Sequence, residues 1–225
     1  MRNLKMEAAQ AALQFIKPDQ IIGLGAGSTI SYLIDYIVQD NLLAQSILFV
    51  TSSFKTRRYL KEKGLAIQSA ALTEHLDLYF DGCDQFDSRL NALKSGGGIH
   101  TTEKILASMA KEFVLLGDES KYVEELDTTY PLVVEILPDA LLVVLSKIKN
   151  EYPEIKSELR MSTQKDGAVI SDNGNMLVDL HFSILPDWKK INVEIKMIPG
   201  VVEHSLFYGM ATKAVIAGDT GIKIV

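Results

Sequence analysis

The chain has 225 residues, 47% of them hydrophobic, with 23 basic side chains against 29 acidic ones and a net charge of −6. That length and apolar content suit a well-buried core and exclude a disordered chain. The acidic balance, without a Lys/Arg stripe interleaved with aromatics, argues against nucleic acid, and no apolar run nears the roughly 20 residues of a membrane-spanning helix.

A lone cysteine, Cys83, cannot form an internal disulfide, and the opening MRNLKMEAAQ lacks the apolar block of a signal peptide, so a cytoplasmic protein is expected. Ala8, Ala9, Ala12, Leu13 and Ile16 recur at helical spacing until Pro18, with Lys5 near the start of that helix. IIGLGAGSTI follows: an apolar strand from Ile21, a turn holding Gly23, Gly25 and Gly27, then Ser28 and Thr29 opening a helix to about Val38. Strand, glycine turn and helix N-terminus make a candidate anion site, because the first N–H groups of a helix are unpaired and its dipole favours negative charge. A dinucleotide fingerprint needs glycine at its sixth position, where this chain has Ser28. The second strand, 47–50, runs into Thr51, Ser52 and Ser53 and offers no ribose-binding carboxylate. A tight turn alone explains the glycines equally well; the second hydroxyl-rich turn tips the reading towards phosphate rather than NAD.

Residues 54–63 read as a helix closed by Gly64, and 65–70 as a third strand, so the βαβ alternation predicts a parallel, right-handed wound sheet. LDLYF at 76–80 is the next strand, which brings Asp81 and Asp84 out at its C-terminal end, where open α/β sheets bind ligands. Gly96, Gly97 and Gly98 permit close backbone approach, and Ile99, Leu106, Ala110 and Phe113 mark the buried stripe of a helix. Glu103 lies on that stripe, so its carboxylate is expected to point inward, where an uncompensated charge is costly. The strand FVLLG, 113–117, leads to Asp118 and Lys121 at another turn, making Lys121 a second candidate phosphate ligand. Beyond 127 come strands at 132–136, 155–161, 168–171 and 175–182, a helix over 138–149, a hairpin turn at Asn173 and Gly174, and a short helix around Trp188. Strands at 213–217 and 222–225 close the chain. Residues 127–205 read as a smaller α+β lobe, with 1–126 and 206–225 forming the first sheet.

Cys83 stands between two aspartates with no histidine in local reach; the carboxylates oppose thiolate formation, and a small loop-filling residue is the better reading. His75, His100, His181 and His204 show no paired ligand spacing, and Asp81, Asp84 and Asp87 miss the calcium-loop pattern, so no required metal is expected. Asp81, Asp84, Lys94 and Glu103 suit proton transfer: one base to take and return a proton, and groups to manage charge on oxygens. The bland alternative is a salt-bridged loop closing a strand. For Glu103 the helix N-terminus favours a lowered pKa and burial a raised one, and the sequence leaves the outcome open.

Five segments in order, GLGAGSTI, TSS, DGCDQFD, LKSGGGIHTTEK and IPGVVEHSLF, together with DESKY and DNGNMLVDL, resemble the type A ribose-5-phosphate isomerase family along essentially the whole chain. The resemblance implies an α/β fold, a Rossmann-like wound sheet with a second, smaller α+β lobe, and cofactor-free, metal-free aldose-ketose isomerisation of a phosphosugar by a homodimer or homotetramer. It makes Glu103 the base that moves a proton between C1 and C2 through an enediolate, assisted at the oxygens by Asp81, Asp84 and Lys94. Ala26, Gly27, Ser28 and Thr29, with Lys121 and Lys5, would hold the 5-phosphate, and Gly82, Cys83, Ser95, Gly96 and Gly97 would line the sugar. The family pattern has GTGST, DGADE and KGGGG where this chain has GAGST, DGCDQ and KSGGG, so Ala26 lacks a hydroxyl, worth on the order of 1 kcal/mol where it hydrogen-bonds. A shifted phosphosugar preference, or a noncatalytic sugar-phosphate sensor, is the competing expectation.

Overall fold

The computed structural model describes residues 2–225. Asn3 caps α1 (Leu4–Ala12) by accepting from the Met6 amide, and a 3-10 turn, Leu13–Phe15, ends it. β1 (Ile21–Leu24) leads through the glycine turn into α2 (Ser28–Ile37). The next helix, α3 (Asn41–Ser46), is too short to show a period; Asp40 caps it by accepting from Leu43 N. β2 (Leu48–Thr51), α4 (Phe54–Glu62) and β3 (Leu76–Asp81) follow, then two short strands, β4 (Gln85–Phe86) and β5 (Ala92–Leu93), and α5 (His100–Met109). β6 (Ala110–Asp118) precedes β7 (Leu132–Ile136), α6 (Leu141–Glu151), β8 (Lys156–Leu159) and β9 (Met176–His181). The chain closes with α7 (Trp188–Glu194), β10 (Val201–His204), β11 (Leu206–Phe207), β12 (Lys213–Gly218) and β13 (Gly221–Ile224).

Six strands form the main sheet in the order β13-β12-β6-β3-β1-β2, parallel throughout except for the antiparallel β12–β13 pair. Both faces are covered, which is why its strands read as near-continuous apolar runs. Ile22, Leu24, Phe80 and Leu116 pack with Ile30, Leu33 and Ile34 of α2 and with the alanines of α1. On the other face Val50, Tyr79, Phe113 and Leu115 pack with Leu106 of α5 and Phe207 of β11. The chain steps from β1 outward to β2 and then back across to β3, so strand order reverses between β1 and β3 and leaves a crevice beyond their carboxyl ends.

A second, antiparallel sheet, β10-β7-β9-β8, packs Val134, Ile136, Val178 and Leu180 against Val144 and Ile148 of α6 and against Trp188 and Ile191 of α7. A third, β11-β5-β4, is built from two-residue strands. The fold is α/β.

Several sequence expectations are corrected. Residues 65–70 are not a strand: only Ile67 bridges, to Phe49 of β2, where Phe49 N donates to Ala66 O at 2.9 Å and Gln68 N donates to Phe49 O at 2.8 Å, and the chain turns into a 3-10 turn from Ala70. The α5 stripe stops at Met109, because Ala110 turns extended and the β-prone run after it pairs with β3; Ala110 and Phe113 therefore belong to β6. At 168–171 there are only isolated bridges, Ala168 to Met161 and Ile170 to Met176. The 138–149 helix divides into a 3-10 turn, Pro138–Ala140, and α6. Among the described residues no helix is long and apolar enough to cross a membrane.

Candidate active site

At the crevice, the backbone of Gly25 donates to Phe80 O at 2.9 Å, stitching the end of β1 to β3. A Cβ on Gly25 would lie 1.9 Å from Asp81 Oδ1, so glycine is what lets the turn close over that carboxylate. Gly27, the residue before α2, has φ +98°, a left-handed conformation that glycine adopts without strain. The exposed turn leaves the α2 N-terminus facing a cleft of about 320 Å³.

Asp81 terminates β3 and is 1% exposed. Its Oδ1 accepts from Gly82 N at 2.8 Å and Ala26 N at 3.2 Å, and its Oδ2 from the Tyr79 hydroxyl at 2.5 Å. The Lys94 ammonium stands 2.8 Å from Asp81 Oδ2, 3.4 Å from Glu103 Oε1 and 2.5 Å from Gly82 O. Lys94 follows directly on β5, and Glu103 occupies the first turn of α5 on its inward side. Two buried carboxylates thus share one buried cation.

Burial pushes the Glu103 carboxyl up; Lys94 opposes this and Asp81 reinforces it, leaving the group at about 8. Desolvation therefore outweighs the neighbouring Lys94 cation. Burial works against the Lys94 charge, but Asp81 and Glu103 more than offset it and hold the ammonium above its ordinary value. Cys83, whose thiol lines the same cleft, is pushed up to about 12, chiefly by burial and then by Asp84 and Asp81 against the opposing effect of Lys94, so it is a neutral thiol.

Asp84 Oδ2 accepts from Ser95 N at 2.6 Å and Gly96 N at 2.9 Å, which makes this carboxylate the anchor of the glycine loop. Gln85 joins the same stretch to Asp127 through a pair of hydrogen bonds of 2.8 and 2.9 Å.

The cleft brings together Lys5, Ala26, Gly27, Ser28, Thr29, Asp81, Gly82, Cys83, Asp84, Lys94, Gly96, Gly97, Glu103 and Lys121. Ser95 is not part of its lining: the side chain turns away and donates to Pro131 O at 2.6 Å. The hydroxyls of Thr51 and Ser53 also stay out, since Thr51 Oγ1 accepts from Ser53 N and Ser53 Oγ caps α4. Leu116, Gly117 and Asp118 line the cleft without having been singled out as ligands; their signal was their place at the carboxyl end of a parallel strand, β6.

Another buried carboxylate, Glu135 of β7, lies behind the site and, among the described residues, has no ion-pair partner. It accepts from the Thr101 hydroxyl of α5, from Ser171 Oγ at 2.6 Å, and from the side-chain amides of Asn175 at 2.7 Å and Asn173 at 3.1 Å. Burial pushes it up, and these hydrogen bonds outweigh burial and leave it below the ordinary carboxylate value. It fastens the first turn of α5, and with it Glu103, to the second sheet. Among the described residues no group of three His, Cys, Asp or Glu side chains is placed to hold a metal ion.

The family model for Ribose 5-phosphate isomerase A (phosphoriboisomerase A) matches residues 48–221. Ribose-5-phosphate isomerase A of Methanosarcina acetivorans is 38% identical over 224 residues, covering 98% of this chain and 93% of that one. The ribose-5-phosphate isomerase of Dictyostelium discoideum is 36% identical, covering 96% and 93%. The structure of ribose 5-phosphate isomerase A from Methanocaldococcus jannaschii aligns with a TM-score of 0.89 at 33% identity, over 99% of this chain and 97% of that one. A structure of D-ribose-5-phosphate isomerase in complex with phospho-erythronic acid gives 0.90 at 32% identity, again over 99% and 97%. With agreement in sequence and fold over nearly its whole length, the chain belongs to the ribose 5-phosphate isomerase A family.

Proposed function

We propose that this protein interconverts D-ribose 5-phosphate and D-ribulose 5-phosphate with Glu103 as the base that carries the proton between C1 and C2. The observation that carries the assignment is the buried carboxylate–lysine–carboxylate cluster of Asp81, Lys94 and Glu103 opening on one cleft with the α2 N-terminus.

In this reading the 5-phosphate sits at the Ala26–Thr29 turn, where the N–H groups of Gly27, Ser28 and Thr29 at the start of α2 and the helix dipole favour an anion, and Lys121 and Lys5 add positive charge. Asp81 and Asp84 assist opening of the sugar ring by accepting and returning hydroxyl protons. The Glu103 carboxylate removes the C2 proton of the open-chain aldose. Lys94 then faces the charge developing on the oxygens of the enediolate, and a preorganised cation in a water-poor site stabilises such charge far better than water does. Glu103 returns the proton to C1, while the O2 hydroxyl proton passes to O1, so that the C2 carbonyl forms as C1 becomes an alcohol. A base with a raised pKa binds its proton tightly enough to take it from carbon and still release it. Gly96 and Gly97 flank the sugar, and Ser95 acts through the loop backbone.

We assign residues 132–204 of the second sheet to a smaller lobe spanning 127–205, and 1–126 with 206–225 to the catalytic unit; the confinement of each sheet's strands to those ranges supports this. A homodimer or homotetramer in the cytoplasm is the assembly and location proposed, with the exposed Leu142 and Val143 of α6 available for burial between subunits. Sedimentation of the purified protein tests the assembly. Ketose formation from ribose 5-phosphate in the presence of EDTA tests the reaction; inactivity on ribose 5-phosphate overturns it.

A further inference from the structure

We infer that Arg160 is a positioning residue for this reaction, holding the 95–97 loop in its substrate-ready place from the side opposite Asp84. The inference rests on the isomerase reading for the use to which the loop is put.

Arg160 lies just after β8, in the second sheet's layer, 65 residues from Ser95 in sequence. Its Nη2 donates to Ser95 O at 2.9 Å and its Nη1 to Gly96 O at 3.4 Å. Those are the carbonyls of the two residues whose amides Asp84 holds. The loop is therefore gripped on both edges, by an anion on its N–H side and a cation on its carbonyl side. Arg160 does not line the cleft, so it reaches the reaction only through the loop.

The guanidinium is itself fixed. Asp179 of β9 accepts from Nε at 3.1 Å through each oxygen and from Nη2 at 2.5 Å. The Arg160 amide donates to Leu177 O at 2.8 Å, which ties its backbone to the same strand. Leu177 also abuts the far end of the loop: a Cβ on Gly98 would lie 2.7 Å from Leu177 Cδ1, and Gly98 has φ +67°. A rigid planar fork with five donors serves a carboxylate and two carbonyls at once; a lysine ammonium, a single point on a flexible stem, does not.

Without this grip the Ser95 and Gly96 carbonyls lose their donors and the loop populates other positions. Substrate then binds only the fraction of molecules whose loop is in place, so apparent affinity falls by that fraction while turnover of the bound complex is retained. This separates Arg160 from Glu103 and Lys94, which act on the reacting atoms.

The test uses Arg160→Gln and Arg160→Lys in the full-length protein. In the unliganded protein, hydrogen exchange in a peptide spanning 94–99 is expected to speed up about tenfold or more for Arg160→Gln, with a smaller increase for Arg160→Lys. KM for ribose 5-phosphate is expected to rise about tenfold for Arg160→Gln, with kcat within about threefold of wild type and Arg160→Lys intermediate. Unchanged exchange, or faster exchange with unchanged KM, overturns the inference, as does a fall in kcat at constant KM. Should Arg160→Gln fail to fold, Arg160→Lys, which keeps the charge pair with Asp179, decides by the same readings. Wild-type protein inactive on ribose 5-phosphate would overturn the isomerase reading instead, and the exchange measurement would still decide whether Arg160 holds the loop.

Discussion

The Lys94 ammonium lies 3.4 Å from Glu103 Oε1, farther than the 2.8 Å that separates it from Asp81 Oδ2. The lysine is thus shared unequally, and Glu103 is the less neutralised of the two carboxylates. Asp81 is also supported by two amides and a phenol, whereas burial raises the Glu103 carboxyl to about 8.

The first expectation is a pH profile. The proposed base, Glu103, would act as its carboxylate, and that carboxyl is pushed up to about 8, chiefly by burial. kcat/KM for ribose 5-phosphate should therefore climb as pH rises towards about 8 and level off above it, a limb that Glu103→Asp would displace. A profile flat between about pH 6 and 9 would remove Glu103 from the role of base.

Replacing that base gives a second test. Glu103→Gln should lose about 10² to 10⁴-fold or more in kcat and still bind phospho-erythronic acid, measured by calorimetry. Its stability should also move with pH. The folded-state value near 8 exceeds the ordinary 4.5, so the native protein retains a proton that the unfolded chain releases, and this stabilisation, full below 4.5, is lost as pH rises through about 8. Thermal denaturation should show Glu103→Gln gaining on wild type by roughly a few kcal/mol between about pH 5 and 9.

Lys94→Met would leave Asp81 and Glu103 buried together without their cation. Removing one partner of a buried ion pair costs about 3–5 kcal/mol, and here the loss should be worse at pH 9 than at pH 6, because a protonated Glu103 relieves it. Urea titrations at the two pH values measure this.

Gly25→Ala places a methyl 1.9 Å from Asp81 Oδ1, and neither the carboxylate nor the β1–β3 backbone bond yields without breaking a contact. A stability loss of about 1–3 kcal/mol is expected, as for overpacking elsewhere. Activity should fall more than stability alone explains, as measured at a temperature where the variant is fully folded.

Ala26→Thr restores a hydroxyl at the edge of the cleft beside the α2 N-terminus. If that hydroxyl meets the phosphate, one hydrogen bond of about 1 kcal/mol should lower KM for ribose 5-phosphate about fivefold with kcat unchanged. Comparing KM for unphosphorylated ribose isolates the phosphate contribution.

Much of this site was legible along the chain because its parts are punctuated locally. LDLYF ends in Asp81, a polar residue breaking an apolar strand, and Glu103 sits among apolar helix positions even though the helix stops sooner than its stripe suggests. The βαβ order fixes which end of the sheet carries ligands. What stayed illegible is set by distance or brevity. Two-residue strands such as β4 and β5 have no period to detect, and α3 has too few turns. Residues 65–70 share the composition of a strand, and only tertiary packing denies them one. Arg160 reads as an ordinary charged residue in a strand region, since its meaning lies in carbonyls 65 positions away. Hydroxyl content was a poor guide at Thr51 and Ser53, whose oxygens are consumed by the local turn and helix cap that compete for the same groups.

The order of the main sheet has a consequence for synthesis. β6, with Phe113, Val114, Leu115 and Leu116 all buried, is flanked in the finished protein by β3 and by β12, and β12 leaves the ribosome only after every strand of the second sheet has been made. Until Lys213–Gly218 emerges, the nascent chain presents β6 as a bare, apolar edge with its hydrogen-bonding groups unmet, the kind of template on which chains aggregate. A chain truncated before Lys213 leaves that edge without its partner strand and should collect in inclusion bodies.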